Sequence, residues 1–221
     1  MENVVLNSNS SATDSAAGTF QSDNHLLGIV QRVVASGAST RIVLPGKGEM
    51  VILPDSGLYY SNARDFVDFC RTPSTQFEVA AFGNSALPYE QGSGKNIKSL
   101  LWQAAFHASE GRLIDGCTKY DVVQFKHWPN LTRLPITPNA ARICALLTRT
   151  PSTIMLVHRV LGIDKDEVYQ IYSAAHSIGI CQKIGSNPEK AKSEAELHEK
   201  QAQPAKEHGL FRSLFAKISG L

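Results

Sequence analysis

Between Leu134 and Ile180 the chain carries apolar residues at helical spacing, broken by hard punctuation, and no other stretch restricts the fold as much. Thr137 offers an oxygen to cap a helix, and Pro138 suits the first helical position. Ala140, Ile143, Cys144 and Leu147 then mark one buried face of a helix reaching Thr148, which Thr150-Pro151 ends. Ser152 or Thr153 starts a second helix with Met155, Leu156, Val160 and Leu161 as its apolar residues, and Gly162 breaks it. Asp164 and Glu167 have capping-box spacing and open a third helix. Its stripe is Val168, Ile171, Tyr172, Ala175 and Ile178, and Gly179 closes it. Helix, short break, helix, glycine turn and helix is the plan of a helix-turn-helix.

Within this stretch three runs carry a family likeness: Thr150-Pro-Ser-Thr153, Val160-Leu-Gly-Ile163, and Val168-Tyr-Gln-Ile-Tyr-Ser-Ala-Ala-His-Ser-Ile-Gly-Ile180. Together they resemble the winged-helix-like modules at the C-termini of some bacterial signalling proteins. Those modules accompany response-regulator, small-GTPase and surface-motility systems. The resemblance implies a regulatory or adaptor protein whose module makes protein contacts more often than DNA contacts. A wing would have to come from Cys181-Gln-Lys-Ile184, because polar sequence follows.

A DNA-reading helix puts its N-terminal side chains into the major groove and favours Arg, Lys, Asn or Gln there. The third helix opens with Asp164, Lys165, Asp166 and Glu167, which phosphate would repel on balance. Its usable contact residues, for DNA or for a protein partner, are Lys165, Gln170, Ser173 and His176. The module's basic residues Arg142, Arg149, Arg159 and Lys165 exceed its acidic ones by a single charge, which releases few counterions. The net charge of the chain, +2, argues the same way. Protein contact is therefore the expected use of the module, with transcription regulation through 164–178 as the alternative.

Upstream, residues 25–95 read as a small α+β unit with an antiparallel sheet. Gly28 to Ala35 is apolar and rich in β-branched residues, which predicts a strand. Thr40–Leu44, Glu49–Leu53, Leu58–Ser61 and Gln76–Phe82 are further expected strands, separated by turns such as Pro45-Gly46 and Pro54-Asp-Ser-Gly57. Ser61 or Asn62 would cap a short helix over Ala63–Cys70. Residues 1–24 are polar, lack Lys and Arg, and are expected to be a disordered tail. From 96 to 182 a mainly helical, winged-helix-like unit is expected. It begins with an amphipathic helix over Ile97–Glu110, and a short strand at Leu113-Ile114 and Tyr120–Phe125 follows. Trp128 is expected to anchor the linker before the third-helix module onto a domain.

Enzyme and ligand signatures are missing from the sequence. Gly92-Ser-Gly-Lys95 suggests a phosphate loop, but Tyr89 stands where its first glycine belongs, and Asn96 replaces the hydroxyl that meets magnesium. The seven histidines form no ligand spacing and no nucleophile motif is present, so no catalytic residue, metal site, cofactor or small-molecule substrate is expected. The four cysteines are widely spaced and are expected to be free thiols in a reducing cytoplasm. No apolar run is long enough to span a bilayer, and the N-terminus lacks a signal-peptide pattern.

Residues 183–208 are mixed-charge and polar, as expected of a flexible linker. Beyond them, Leu210, Phe211, Leu214, Phe215 and Ile218 fall on one face of a helix over 209–221. Three destinations are open to it: a partner groove, the surface of a membrane, or the body of the chain itself. The expected location is the cytoplasm, peripheral to the inner membrane if the second holds.

Overall fold

The computed structural model describes residues 18–83, 89 and 93–186. Helix and strand are mixed, and both of the larger sheets are antiparallel, so the α+β expectation holds at that level. Two of the expected segments, the linker beyond residue 186 and the apolar face Leu210, Phe211, Leu214, Phe215 and Ile218, lie outside the described residues.

The chain enters as β1 (Thr19–Phe20), which pairs in parallel with β7 (Leu113–Ile114). Residues 18–24 therefore belong to the body and not to a tail. Phe20 is 2% exposed, and the Leu113 and Asp115 N–H groups donate to the Gly18 and Phe20 carbonyls at 3.0 and 2.9 Å. Helix α1 (Leu26–Ser36) stands where the β-branched run predicted a strand. Leu26, Leu27, Ile29, Val30 and Val33 are its buried residues, at helical spacing, so packing overrode local β-propensity. Gly28 permits this, because a Cβ there would lie 2.6 Å from the Cα of Asp23.

A five-stranded sheet follows in the order β5-β2-β3-β4-β6. Its strands are β2 (Thr40–Leu44), β3 (Gly48–Leu53), β4 (Leu58–Ser61), β5 (Glu78–Ala81) and β6 (Lys95–Asn96). Ile42, Leu44, Met50, Ile52 and Tyr59 line its core side. Helix α2 (Phe66–Arg71) starts later than expected because Asp65, not Ser61 or Asn62, caps it by accepting from the Asp68 N–H at 3.0 Å.

Helix α3 (Ile97–Ser109) is the axis of the molecule. It packs on α1, α2 and β4 on one side and along α6 (Lys165–Ser177) on the other. One continuous buried cluster consequently runs from Phe20 to Ile180. Trp102 of α3 is fully buried, and its indole N–H donates to the Pro135 carbonyl at 2.9 Å. This tryptophan, not Trp128, anchors the linker that leads to the last helices. Trp128 is 48% exposed.

The last helices are α4 (Ala140–Arg149), α5 (Ile154–Leu161) and α6. Helix α4 begins after Asn139, two residues beyond the expected Thr137 cap. Asn139 is held from outside, its N–H and amide donating to Glu167 at 3.1 Å each. Glu167 thus bridges α6 to α4 instead of closing a capping box on Asp164, whose own carboxylate accepts from the Asp166 N–H. A three-stranded sheet in the order β10-β8-β9 covers these helices, built from β8 (Asp121–Phe125), β9 (Ser152–Thr153) and β10 (Cys181–Ser186). Strand β10 occupies the place expected for a wing, but its antiparallel partner β8 lies upstream of α4.

Candidate functional site

Helix α6 is where sequence placed the contact residues, and its surroundings decide what they can touch. Val168, Tyr169, Ile171, Tyr172, Ser173, Ala174 and Ala175 are all buried. An amphipathic surface helix keeps one polar face, whereas α6 is enclosed by α3, α4, α5 and β7. Ser173 is completely buried; its oxygen accepts from the Ile114 N–H at 3.0 Å and donates to the Arg112 carbonyl at 3.4 Å. Ser173 is therefore not a contact residue: small size and two backbone partners fit it to the seam between α6 and β7. Gln170 is half-buried and donates to the Phe106 carbonyl at 3.0 Å, tying α6 to α3. Lys165 and His176 remain exposed, but three helical turns separate them, so the structure does not gather the four residues into one patch. The turn before β7 also approaches α6 closely. Gly111 has φ +81°, and a Cβ on it would sit 2.8 Å from Cβ of Asp166.

The surface of this half of the molecule carries apolar side chains instead. Trp128, Ile136, Val160 and Ile184 are 48%, 47%, 59% and 50% exposed. Val160 lies on α5, Ile184 on β10, and the other two in the connection from β8 to α4. Arg142, a candidate cation for phosphate, donates to the Asn139 side chain and to the Leu161 carbonyl at 2.8 Å, closing α4 onto α5.

Two polar clusters escaped the sequence reading because their members are far apart along the chain. In the first, Asp121 is 1% exposed at the start of β8. Its carboxylate accepts from the Thr118 N–H at 3.0 Å and hydroxyl at 2.8 Å, and pairs with the Lys183 ammonium of β10 at 2.9 Å. Burial pushes this carboxyl up, but the bonds from Thr118 and Lys183 outweigh it and hold it below the usual carboxylate range. Nearby, the Tyr172 hydroxyl donates to the sulfur of Cys117 at 3.4 Å. Burial raises the thiols of Cys117, Cys181 and Cys144, the last to about 12, which keeps them protonated and poorly nucleophilic at neutral pH.

The second cluster gathers His25, Arg71, His107, Glu110 and Arg112 where α1, α2 and α3 meet. Glu110 adopts φ +46° at the end of α3 and pairs with Arg71 at 3.2 Å and Arg112 at 3.7 Å. Burial, then the charge of Arg112, lowers the pKa of His25; burial, then Arg71, lowers that of His107. Both shifts favour the neutral ring, and the one carboxylate of the cluster, Glu110, is shared by the two guanidiniums. Only a surface signal such as Glu110-Gly111 at a helix end pointed here, and it reads equally as a plain helix stop.

Among the described residues no group of three or more His, Cys, Asp or Glu side chains is placed to hold a metal ion, and no helix is long and apolar enough to cross a membrane. No protein family matches the chain, and no curated protein or solved structure is significantly similar to it.

Proposed function

We propose that this chain is a non-enzymatic adaptor or regulator that works through protein contacts, with the winged-helix-like half as a packed platform. The observation that carries this reading is the enclosure of α6, the helix that would otherwise enter a DNA groove. Ser173 and Gln170 are committed to β7 and α3, and the exposed start of the helix is acidic. Exposed apolar anchors, including a tryptophan, suit a protein partner better than a phosphate backbone. The resemblance of Thr150–Ile180 to modules of bacterial signalling and surface-motility proteins supplies the setting.

The test compares the wild-type chain with Trp128→Ala and Val160→Glu, both surface changes that leave the core intact. Partners captured from a bacterial lysate should include a protein lost with either substitution and then rebound on purification. Gel shifts on genomic fragments at physiological salt should show no specific complex. Tight DNA binding removed by Lys165→Glu or Gln170→Ala would replace this reading with the transcription-regulator alternative.

A further inference from the structure

Proteins blunt the outer strands of their sheets with shortness, proline, lysine or a bulge, because an open row of N–H and C=O groups recruits another strand. Most outer strands here follow that rule. β6 and β9 have two residues each, and Pro151 precedes β9. β10 is longer, but its register breaks between Lys183 and Gly185, and Lys183 is on it. β5 departs from the rule. It runs Glu78-Val-Ala-Ala81 in unbroken register with β2, has no lysine, proline or bulge, and all four residues are exposed. Val79 is 51% exposed although it lies on the side of the sheet that elsewhere faces the core, opposite Ile42.

We propose that β5 is a homotypic docking edge, where a second copy of this chain adds its own β5 antiparallel about a twofold axis at Val79. Residues directly opposite in an antiparallel pair share a face, which leaves few registers. An axis at Glu78 would oppose two carboxylates. An axis at Val79 sets valine against valine, covering the exposed side chain, and sets Glu78 beside Ala80 of the second copy. Ala80 is itself opposite Arg41 of β2. Glu78 of one copy and Arg41 of the other then lie in one row, roughly 10 Å apart between Cα atoms, with only an alanine methyl between them. Both side chains reach over it. Arg41 already pairs with Glu49, and its remaining donors can take a second carboxylate. The twofold makes this contact twice, so charge complementarity favours a copy of the chain over an arbitrary peptide. The product is a ten-stranded sheet of two five-stranded halves related by a symmetric interface.

Sedimentation velocity on the full chain, in a concentration series reaching about 1 mM, reads the result. Mass should rise towards a dimer with concentration. Val79→Lys, which adds the missing edge lysine, should weaken association at least about tenfold, and Glu78→Arg should weaken it by opposing Arg41. Val79→Ile should retain association, and circular dichroism should be unchanged in all three. A chain that stays monomeric throughout overturns the proposal. So does a dimer that survives Val79→Lys and Glu78→Arg, because it would use another face.

Discussion

β5 and β10 are both outer strands of antiparallel sheets, yet their free sides are built in opposite ways. β10 is tied down by a side chain: Lys183 reaches back to Asp121 on β8, and the register slips by one residue next to it. Among the described residues β5 is held by backbone pairing with β2 in unbroken register, and Glu78 is its one charged residue. A bulge and an ion pair on a buried carboxylate make β10 a poor template but one whose attachment depends on charge. A regular bare strand makes β5 independent of charge but open to pairing. Resistance to unwanted strands and sensitivity to protonation thus come together on β10, and β5, on the other sheet of the same core, has neither.

Asp121→Ala should have the largest effect on stability. It removes the acceptor of two Thr118 bonds and the Lys183 pair, and we expect a loss of about 1–3 kcal/mol, checked by urea unfolding. Opening should be local, with amides of Cys181–Ser186 exchanging faster while those of β2–β3 stay protected. If both sheets lose protection equally, the contrast between the two edges fails.

The same interaction should be released by acid. Because the carboxyl of Asp121 is held low in the folded state, its contribution is fully present above the ordinary value of about 3.9 and is lost as pH falls through the lower folded value. Hydrogen exchange in β10 should therefore rise below about pH 4, ahead of global unfolding, and Asp121→Asn should flatten that rise. A β10 that exchanges independently of pH in the wild type would contradict it.

How far the sequence could have led to these edges depends on what each feature needs. The strands β2, β3 and β4 and helices α3, α4 and α6 were legible because their apolar residues repeat at one period between turn signals; α5 was legible in its place, but it buries Ile154 and Val157, and Val160 of the expected apolar set is 59% exposed. Helix α1 was not, since the β-branched composition of Ile29, Val30, Val33 and Val34 outweighed their i, i+1, i+4, i+5 spacing, which is helical. The tail's Phe20 looked isolated because its partner in β7, Ile114, stands 94 positions further along the chain (114 − 20).

 The small polar Ser173 read as surface because polarity along a helix does not reveal that the helix is enclosed on both sides. The Asp121–Lys183 pair joins residues from opposite ends of the helical half, so no local spacing could indicate it.

Lys183→Met sharpens the comparison with a smaller change. The ammonium is half exposed, so solvent screens much of its attraction, and the loss should be about 1 kcal/mol or less by urea unfolding. Thr118 still satisfies the carboxylate, which is why this substitution should cost less than Asp121→Ala. A larger loss for Lys183→Met than for Asp121→Ala would mean that the pair, and not the Thr118 bonds, holds β10.

Val79→Lys should change the stability of the single chain least of all, within about 0.5 kcal/mol, because an exposed side chain on an outer strand has little packing to lose. The measurement has to be made at a concentration where the chain is monomeric, since any pairing through β5 would stabilise the wild type by mass action and exaggerate the difference. The expected pattern is a wild-type melting temperature that climbs with protein concentration and a Val79→Lys melting temperature that does not, with the two converging on dilution. A gap that persists at the lowest concentration would show that Val79 supports the monomer's own sheet, and the edge would then be bare without being free.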